Sequence, residues 1–140
     1  PISTNPSRVF VFGDEGTPLA SFDPLSITFG LNLTPLRLKS GELGIAIAPG
    51  PLKGYPPLVC CLEISGRIVS QFSAFDDREA HGSNIGAVDT DGDGCDEIIL
   101  GEGIGPGRPE TVRILRQDGA LLYSWRLPRT SRRQDWHAAG

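Results

Sequence analysis

Three similar segments of this chain are rich in β-branched and aromatic residues, with matching apolar pairs at alternate positions. The segments are RVFVFGDEGTPLASF, LVCCLEISGRIVSQF and TVRILRQDGALLYSW, at residues 8–22, 58–72 and 111–125. Each contains a run that alternates with period two, a short turn with a glycine, and a second apolar run that ends in an aromatic residue. This pattern predicts a β-hairpin in each segment.

The three segments recur at nearly constant spacing. Their turn glycines are 50 and then 53 residues apart, at Gly16, Gly66 and Gly119. The terminal aromatic residues keep the same two spacings, at Phe22, Phe72 and Trp125. The match at 53 residues continues upstream, where 44–57 corresponds to 97–110, and a further strand is predicted before each, at 31–38 and 83–88. Four short strands in a unit of about 50 residues are typical of a β-propeller blade.

We therefore predict an all-β fold that forms a partial β-propeller of about two and a half four-stranded blades. Residues 1–26 are predicted to form an N-terminal segment with the outer hairpin of an incomplete blade, and residues 27–76 a blade without a calcium loop. Residues 77–128 are predicted to form a blade with a calcium loop, and residues 129–140 a basic C-terminal tail. A β-sandwich with evenly spaced strands is the alternative. Glycines, prolines and aromatic residues that match at one offset favour the propeller.

Composition narrows the classes of partner. The 140 residues carry a net charge of −4, which argues against a nucleic-acid partner, and no apolar run approaches the ~18 residues of a membrane span. Cys60, Cys61 and Cys95 lack CxxC spacing, so we interpret them as small buried side chains, with a disulfide from Cys95 to one of the pair as the alternative. Asn32 begins the sequon NLT but falls in a predicted strand, so we interpret it as an ordinary strand residue.

The candidate chemistry lies in one acidic loop, DTDGDGCDE at residues 89–97. It concentrates five carboxylates, those of Asp89, Asp91, Asp93, Asp96 and Glu97. Like charges about 4 Å apart repel by ~1 kcal/mol in water and ~4 kcal/mol at an effective dielectric of 20, so this density predicts a bound cation. Alternate residues of a tight loop can turn oxygens inward, and calcium takes six to eight such ligands. The position of the closing EF-hand glutamate holds Leu100, so Glu97 is the expected closing carboxylate, with Asp96 as the alternative.

The stretch VDTDGDGCDEIILGEGIGPGRPETVRIL, residues 88–115, resembles the FG-GAP repeat of integrin-type propellers and the similar VCBS-like repeats of bacterial surface proteins. These repeats share an aspartate-rich calcium loop, an apolar strand, a Gly-rich loop and a Val-x-Val strand. The resemblance implies one structural Ca²⁺, bound by Asp89, Asp91, Asp93, the Cys95 carbonyl and Glu97. In the preceding unit the aligned positions hold Leu36, Leu38, Ser40 and Gly44, so we predict one calcium ion in the chain.

The function that we expect is a non-enzymatic binding or assembly module, secreted or at the cell surface. Its partners would be other protein chains, or copies of itself, that complete the propeller or a filament, and a glycan is a further candidate ligand. The alternative is a scaffold or accessory domain of a polysaccharide-acting enzyme. A closed propeller typically needs four to eight blades. We therefore expect the edge at 8–12 or the blade face at 111–126 to contact a partner.

Overall fold

The computed structural model describes residues 5–50, 53–75, 82–102 and 110–128. These ranges contain strands and no helix, which confirms the prediction of an all-β fold and leaves them without a helix suited to crossing a membrane. The strands are β1 Val9–Phe12, β2 Pro18–Phe22, β3 Leu31–Arg37, β4 Leu43–Pro49, β5 Leu58–Glu63, β6 Ile68–Ser73, β7 Ser83–Val88, β8 Glu97–Glu102, β9 Thr111–Leu115 and β10 Leu121–Arg126. The basic tail predicted at 129–140 lies outside the described residues.

The strands form three antiparallel sheets. The first sheet is the hairpin β1–β2, the second has the order β3-β4-β5-β6, and the third has the order β10-β9-β8-β7. Within each sheet, every strand therefore pairs with its neighbour along the chain, as consecutive strands joined by short turns predict. None of the three sheets closes on itself within the described ranges. The propeller arrangement and the segment boundaries remain predictions.

The hairpins that end the three sheets share one turn geometry. In each, the N–H of the turn glycine donates to the carbonyl of the residue three positions earlier, at 2.9 Å. The φ angles of Gly16, Gly66 and Gly119 are 77°, 94° and 90°. A side chain at such an angle is strained, so glycine is the residue that this turn requires. The sequence repeat is thus a repeat of backbone conformation.

The main hydrophobic core joins the second sheet to the third. Its buried members from the second sheet and the residues that follow it are Leu36, Leu38, Ala46, Ala48, Val59, Cys61, Ala74 and Phe75. Those from the third sheet are Ile98, Leu100 and Leu115. Burial of a side chain such as Leu or Ile contributes about 1.5–3 kcal/mol, so this junction supplies much of the stability of the described fold.

Each junction between consecutive sheets also sets an aromatic ring against a turn glycine. Phe22 and Leu25 pack on a smaller core in the second sheet that comprises Ile47, Cys60 and Leu62. A Cβ added to Gly66 would lie 2.7 Å from the Phe22 ring, and one added to Gly119 would lie 2.8 Å from the Phe72 ring. Real Cβ atoms do not approach this closely, so the two rings occupy space that only glycine leaves free.

Polar contacts support the junction between the second and third sheets. The Asn32 amide, in β3, donates to the Ser83 carbonyl at 2.9 Å. The Arg113 guanidinium donates to the Ala74 carbonyl at 2.6 Å and lies 4.9 Å from the centre of the Phe75 ring. These contacts satisfy part of the polar groups that the packing of the two sheets removes from water, whereas Arg113 Nε and Ser83 Oγ are buried without a hydrogen-bond partner among the described residues.

The three cysteines are free thiols, so the alternative of a disulfide with Cys95 is wrong. Cys60 and Cys61 are buried, as interpreted from the sequence, whereas Cys95 is half-buried. Burial, assisted by the neighbouring Cys61, raises the pKa of the Cys60 thiol to about 11. Burial also raises the pKa of Cys61, and burial and nearby carboxylates raise that of Cys95.

We expect at most one thiol, that of Cys95, to react with Ellman's reagent in the native protein at mildly alkaline pH. The thiolate is the reactive form, and both burial and the raised pKa keep Cys60 and Cys61 from forming it. All three thiols should react in denaturant, and Cys95→Ser should remove the native reaction. Rapid native labelling of two thiols would contradict this packing.

Candidate metal site

The acidic loop connects β7 to β8 in the third sheet. Gly92 and Gly94 have φ angles of 79° and 85°, and a Cβ added at either would meet no atom within 4 Å. These glycines are therefore needed for backbone conformation rather than for close packing. Two left-handed residues so near each other curl the loop tightly, and this brings residues at both of its ends together.

Three carboxylates converge inside this curl. Ligand oxygens of Asp89, Asp91 and Glu97 all lie within 4.8 Å of one another. Glu97 is buried, Asp89 is half-buried and Asp91 is exposed. Oxygen donors with formal negative charge at this spacing suit a hard divalent cation, and calcium is the one that takes several carboxylates in a flexible loop.

Glu97 is the most enclosed acidic group of the cluster, with 3% of its surface exposed. As the first residue of β8 it points back into the loop, where its Oε2 accepts a hydrogen bond from the Thr90 N–H at 2.8 Å. The Thr90 hydroxyl donates to the same oxygen. Thr90 was missed by the sequence reasoning, and its place between two aspartates of the loop is the signal that could have found it.

Asp89 is held by backbone donors of its own loop. Its Oδ2 accepts from the Gly94 N–H at 2.9 Å and its Oδ1 accepts from the Gly92 N–H at 2.6 Å. The Gly94 bond is the main reason that the pKa of Asp89 is lowered, against a smaller opposing effect of burial. A carboxylate held in this way stays ionised and oriented toward the cluster.

Asp93 and Cys95 are placed differently from the other predicted ligands. The Asp93 carboxylate lies outside the cluster of three and accepts a hydrogen bond from the Cys95 N–H at 2.8 Å. The thiol of Cys95 accepts from the Gln117 amide at 3.2 Å. Coordination of a cation stays a prediction for all five ligands, and Asp93 is the one whose carboxylate lies apart from the cluster.

Asp96, the alternative closing carboxylate, faces the second sheet instead. Its Oδ2 accepts from the Arg37 N–H at 2.5 Å, and its own N–H donates to the Arg37 carbonyl at 3.1 Å. The Gln117 amide joins this contact by donating to the carbonyls of Arg37 and Asp96, at 2.8 and 2.9 Å. The loop is thereby attached both to β3 and to the hairpin turn of its own sheet. A cation in the loop would therefore rigidify the sheet junction as well as the loop.

The corresponding loop of the second sheet has no such cluster. Leu36 and Leu38, aligned with Asp89 and Asp91, are 1% and 2% exposed and belong to the main core. Gly41, aligned with Gly94, keeps a positive φ of 86°. The second sheet thus retains the glycine turn, whereas its positions equivalent to the predicted ligands hold leucines that pack in the core.

Comparison with protein-family models, with curated proteins and with solved structures found no match for the chain. The class that fold and site define is an all-β chain whose described residues form successive antiparallel sheets and one acidic cluster suited to a cation. Its resemblance to FG-GAP and VCBS-like repeats rests on the loop motif and remains an expectation.

Proposed function

We propose that this chain is a calcium-stabilised segment of an FG-GAP-like β-propeller and acts as a non-enzymatic module for protein–protein association. In this proposal the second and third sheets are blades and the first sheet is the outer half of another. The observation that carries the proposal is an apolar face left open on the third sheet. Tyr123, Trp125 and Leu127 are 57%, 48% and 43% exposed. Large contiguous apolar exposure marks an interaction surface.

The electrostatics of the loop support calcium as its occupant. Two half-buried or buried carboxylates and one exposed carboxylate meet within 4.8 Å, and none of them forms an ion pair with a described Lys or Arg. Repulsion between such groups costs from ~1 to ~4 kcal/mol per pair, depending on the local dielectric. A divalent cation would convert this cost into attraction. Extracellular calcium modules typically bind at about 10⁻⁴–10⁻³ M, which suits a secreted or cell-surface protein.

The polysaccharide-enzyme alternative would need a concave pocket with convergent polar side chains. The depression on the first sheet is lined mainly by apolar groups, among them Phe10, Phe12 and Leu19. That surface favours association with protein. A second depression, beside the acidic loop, is lined by polar groups that include Lys39 and Arg116, and it is where this alternative would bind a substrate.

The calcium proposal predicts that Asp91→Asn has effects of opposite sign without and with the metal. In EDTA the variant should melt at a higher temperature than wild type, because one of the three clustered charges is removed. In calcium at a hundredfold excess over the dissociation constant, which is about 10–100 mM for a site of this class, it should melt at a lower temperature, because wild type gains about 2.7 kcal/mol there. That gain corresponds to a rise of about 10 °C in the melting temperature of wild type.

Asp118→Asn is the matched control for this experiment. Asp118 accepts the N–H two residues later at 2.9 Å, as Asp91 does at 3.1 Å, but it lies outside the acidic cluster. Asp118→Asn should therefore leave the calcium-induced rise unchanged. A wild-type melting temperature that is equal in calcium and in EDTA would refute the metal site.

A further inference from the structure

Within this chain, one kind of contact is used twice to join consecutive sheets. The ring of Phe22 covers Gly66 of the second sheet, and the ring of Phe72 covers Gly119 of the third. The residues correspond at the 50- and 53-residue offsets, so the two junctions are equivalent. Each junction consists of an aromatic ring on one sheet and a turn glycine with its neighbouring strand on the next.

The third sheet carries the aromatic half of this contact, and none of the described residues covers it. The aromatic stripe, defined as Tyr123, Trp125 and Leu127, occupies the positions that Ser70, Phe72 and Ala74 hold in the second sheet. Trp125 pairs with Val112 across the β9–β10 ladder, on the opposite side from the core residue Leu115. The stripe is about half exposed, whereas Ala74 is 2% exposed beneath the third sheet.

The first sheet carries the glycine half, also uncovered. Gly16 has a φ of 77°, like Gly66 and Gly119, but a Cβ added to it would meet no atom within 4 Å. Phe10 and Phe12 are 59% and 56% exposed, whereas their counterparts Cys60 and Leu62 are fully buried. We call Phe10, Phe12 and Gly16 the hairpin face.

We propose that the aromatic stripe of one copy of this chain docks on the hairpin face of a second copy, with Trp125 over Gly16. This inference rests on the proposed function and names its partner. The internal junctions show that the two halves fit each other, and the series of described sheets presents one open half at each end. The Ser70 hydroxyl donates to the Gln117 carbonyl at the internal junction, and the residues at the corresponding positions of the new contact, Tyr123 and Asp14, are also polar.

The contact is head-to-tail, because the two surfaces that meet are different. A head-to-tail contact produces a ring when its rotation closes and an open filament when it does not. Wild type should therefore form species larger than a dimer as its concentration rises, unless a ring of two copies closes first.

Sedimentation velocity on the purified chain at micromolar concentration in calcium tests the inference. Trp125→Ala removes the stripe's central ring, and Gly16→Asn blocks the hairpin face with a residue that tolerates positive φ. Each variant alone should be monomeric, with a dissociation constant raised at least about thirtyfold, as for a central aromatic anchor. Mixed together, the two variants retain one intact stripe and one intact hairpin face, and they should form a one-to-one complex and nothing larger.

Gly41→Asn is the control, since Gly41 has a φ of 86° with open space around it and belongs to neither surface. It should associate like wild type. If Gly16→Asn fails to fold, as judged by circular dichroism, Phe10→Ser provides a second lesion on the hairpin face.

Normal association of a folded hairpin-face variant would overturn the head-to-tail contact while leaving association itself intact. Absence of a complex in the mixture would also overturn it. A wild-type chain that stays monomeric would overturn self-association altogether, whereas the proposed calcium site is decided separately by the melting of Asp91→Asn.

Discussion

Leu100→Ala is expected to lower the free energy of unfolding by about 3–4 kcal/mol, one of the two largest effects that we predict. Leu100 is fully buried and belongs to the core that joins the second and third sheets. The substitution removes apolar contacts and leaves a cavity between two sheets that are both pinned by backbone hydrogen bonds, so little of the space can collapse. Urea denaturation followed by circular dichroism, in calcium and at low protein concentration, measures the loss.

Leu121→Ala makes the same chemical change at a site that is 53% exposed. It should cost less than about 1 kcal/mol, because its side chain gives up little burial. Equal losses for the two variants would mean that the second and third sheets do not share a core, and the arrangement of the fold would have to be revised.

Gly82→Ala is expected to cost about 3 kcal/mol or more. A Cβ at Gly82 would lie 2.0 Å from the Gly50 carbonyl oxygen and 2.7 Å from that of Pro49. These are backbone atoms, so relief requires a shift of the second sheet relative to the third. The positive φ of 63° adds about 1–2 kcal/mol, and overpacking typically costs a further 1–3 kcal/mol.

Gly41→Ala separates the cost of a positive φ from the cost of the close contact at Gly82. Gly41 has a φ of 86° but open space where its Cβ would stand, so only the backbone penalty of about 1–2 kcal/mol applies. The difference in unfolding free energy between the two alanine variants therefore measures the close approach at Gly82. If both variants lose the same amount, the contact between Gly82 and the end of β4 is not as tight as the structure indicates.

Much of the fold was predictable from local patterns. Val9 and Val11 stand at alternate positions of the first hairpin, and equivalent pairs recur in the other two. Period-two alternation depends only on residues close in the chain, because successive side chains of a strand point to opposite faces. The turn glycines were equally predictable, since a backbone conformation with positive φ favours glycine whatever the rest of the fold.

The acidic loop was predictable in outline but not in its full ligand set. Charge density marked Asp89, Asp91 and Glu97 as neighbours, and the structure brings their oxygens together. It turns Asp93 to the Cys95 N–H and Asp96 to the Arg37 N–H. The contact between Asp96 and Arg37 spans 59 residues, and no local pattern specifies a bond at such a separation.

The strands, their turns and the equivalence of the three hairpins follow from the sequence alone, because each depends on steric and hydrogen-bonding preferences of residues near one another. Which faces are covered was decided by the tertiary structure. Phe22 and Trp125 end the same motif, yet Phe22 packs on the core of the next sheet and Trp125 is 48% exposed. Burial depends on whether another sheet stands opposite, and that is a property of the assembled chain rather than of any segment within it.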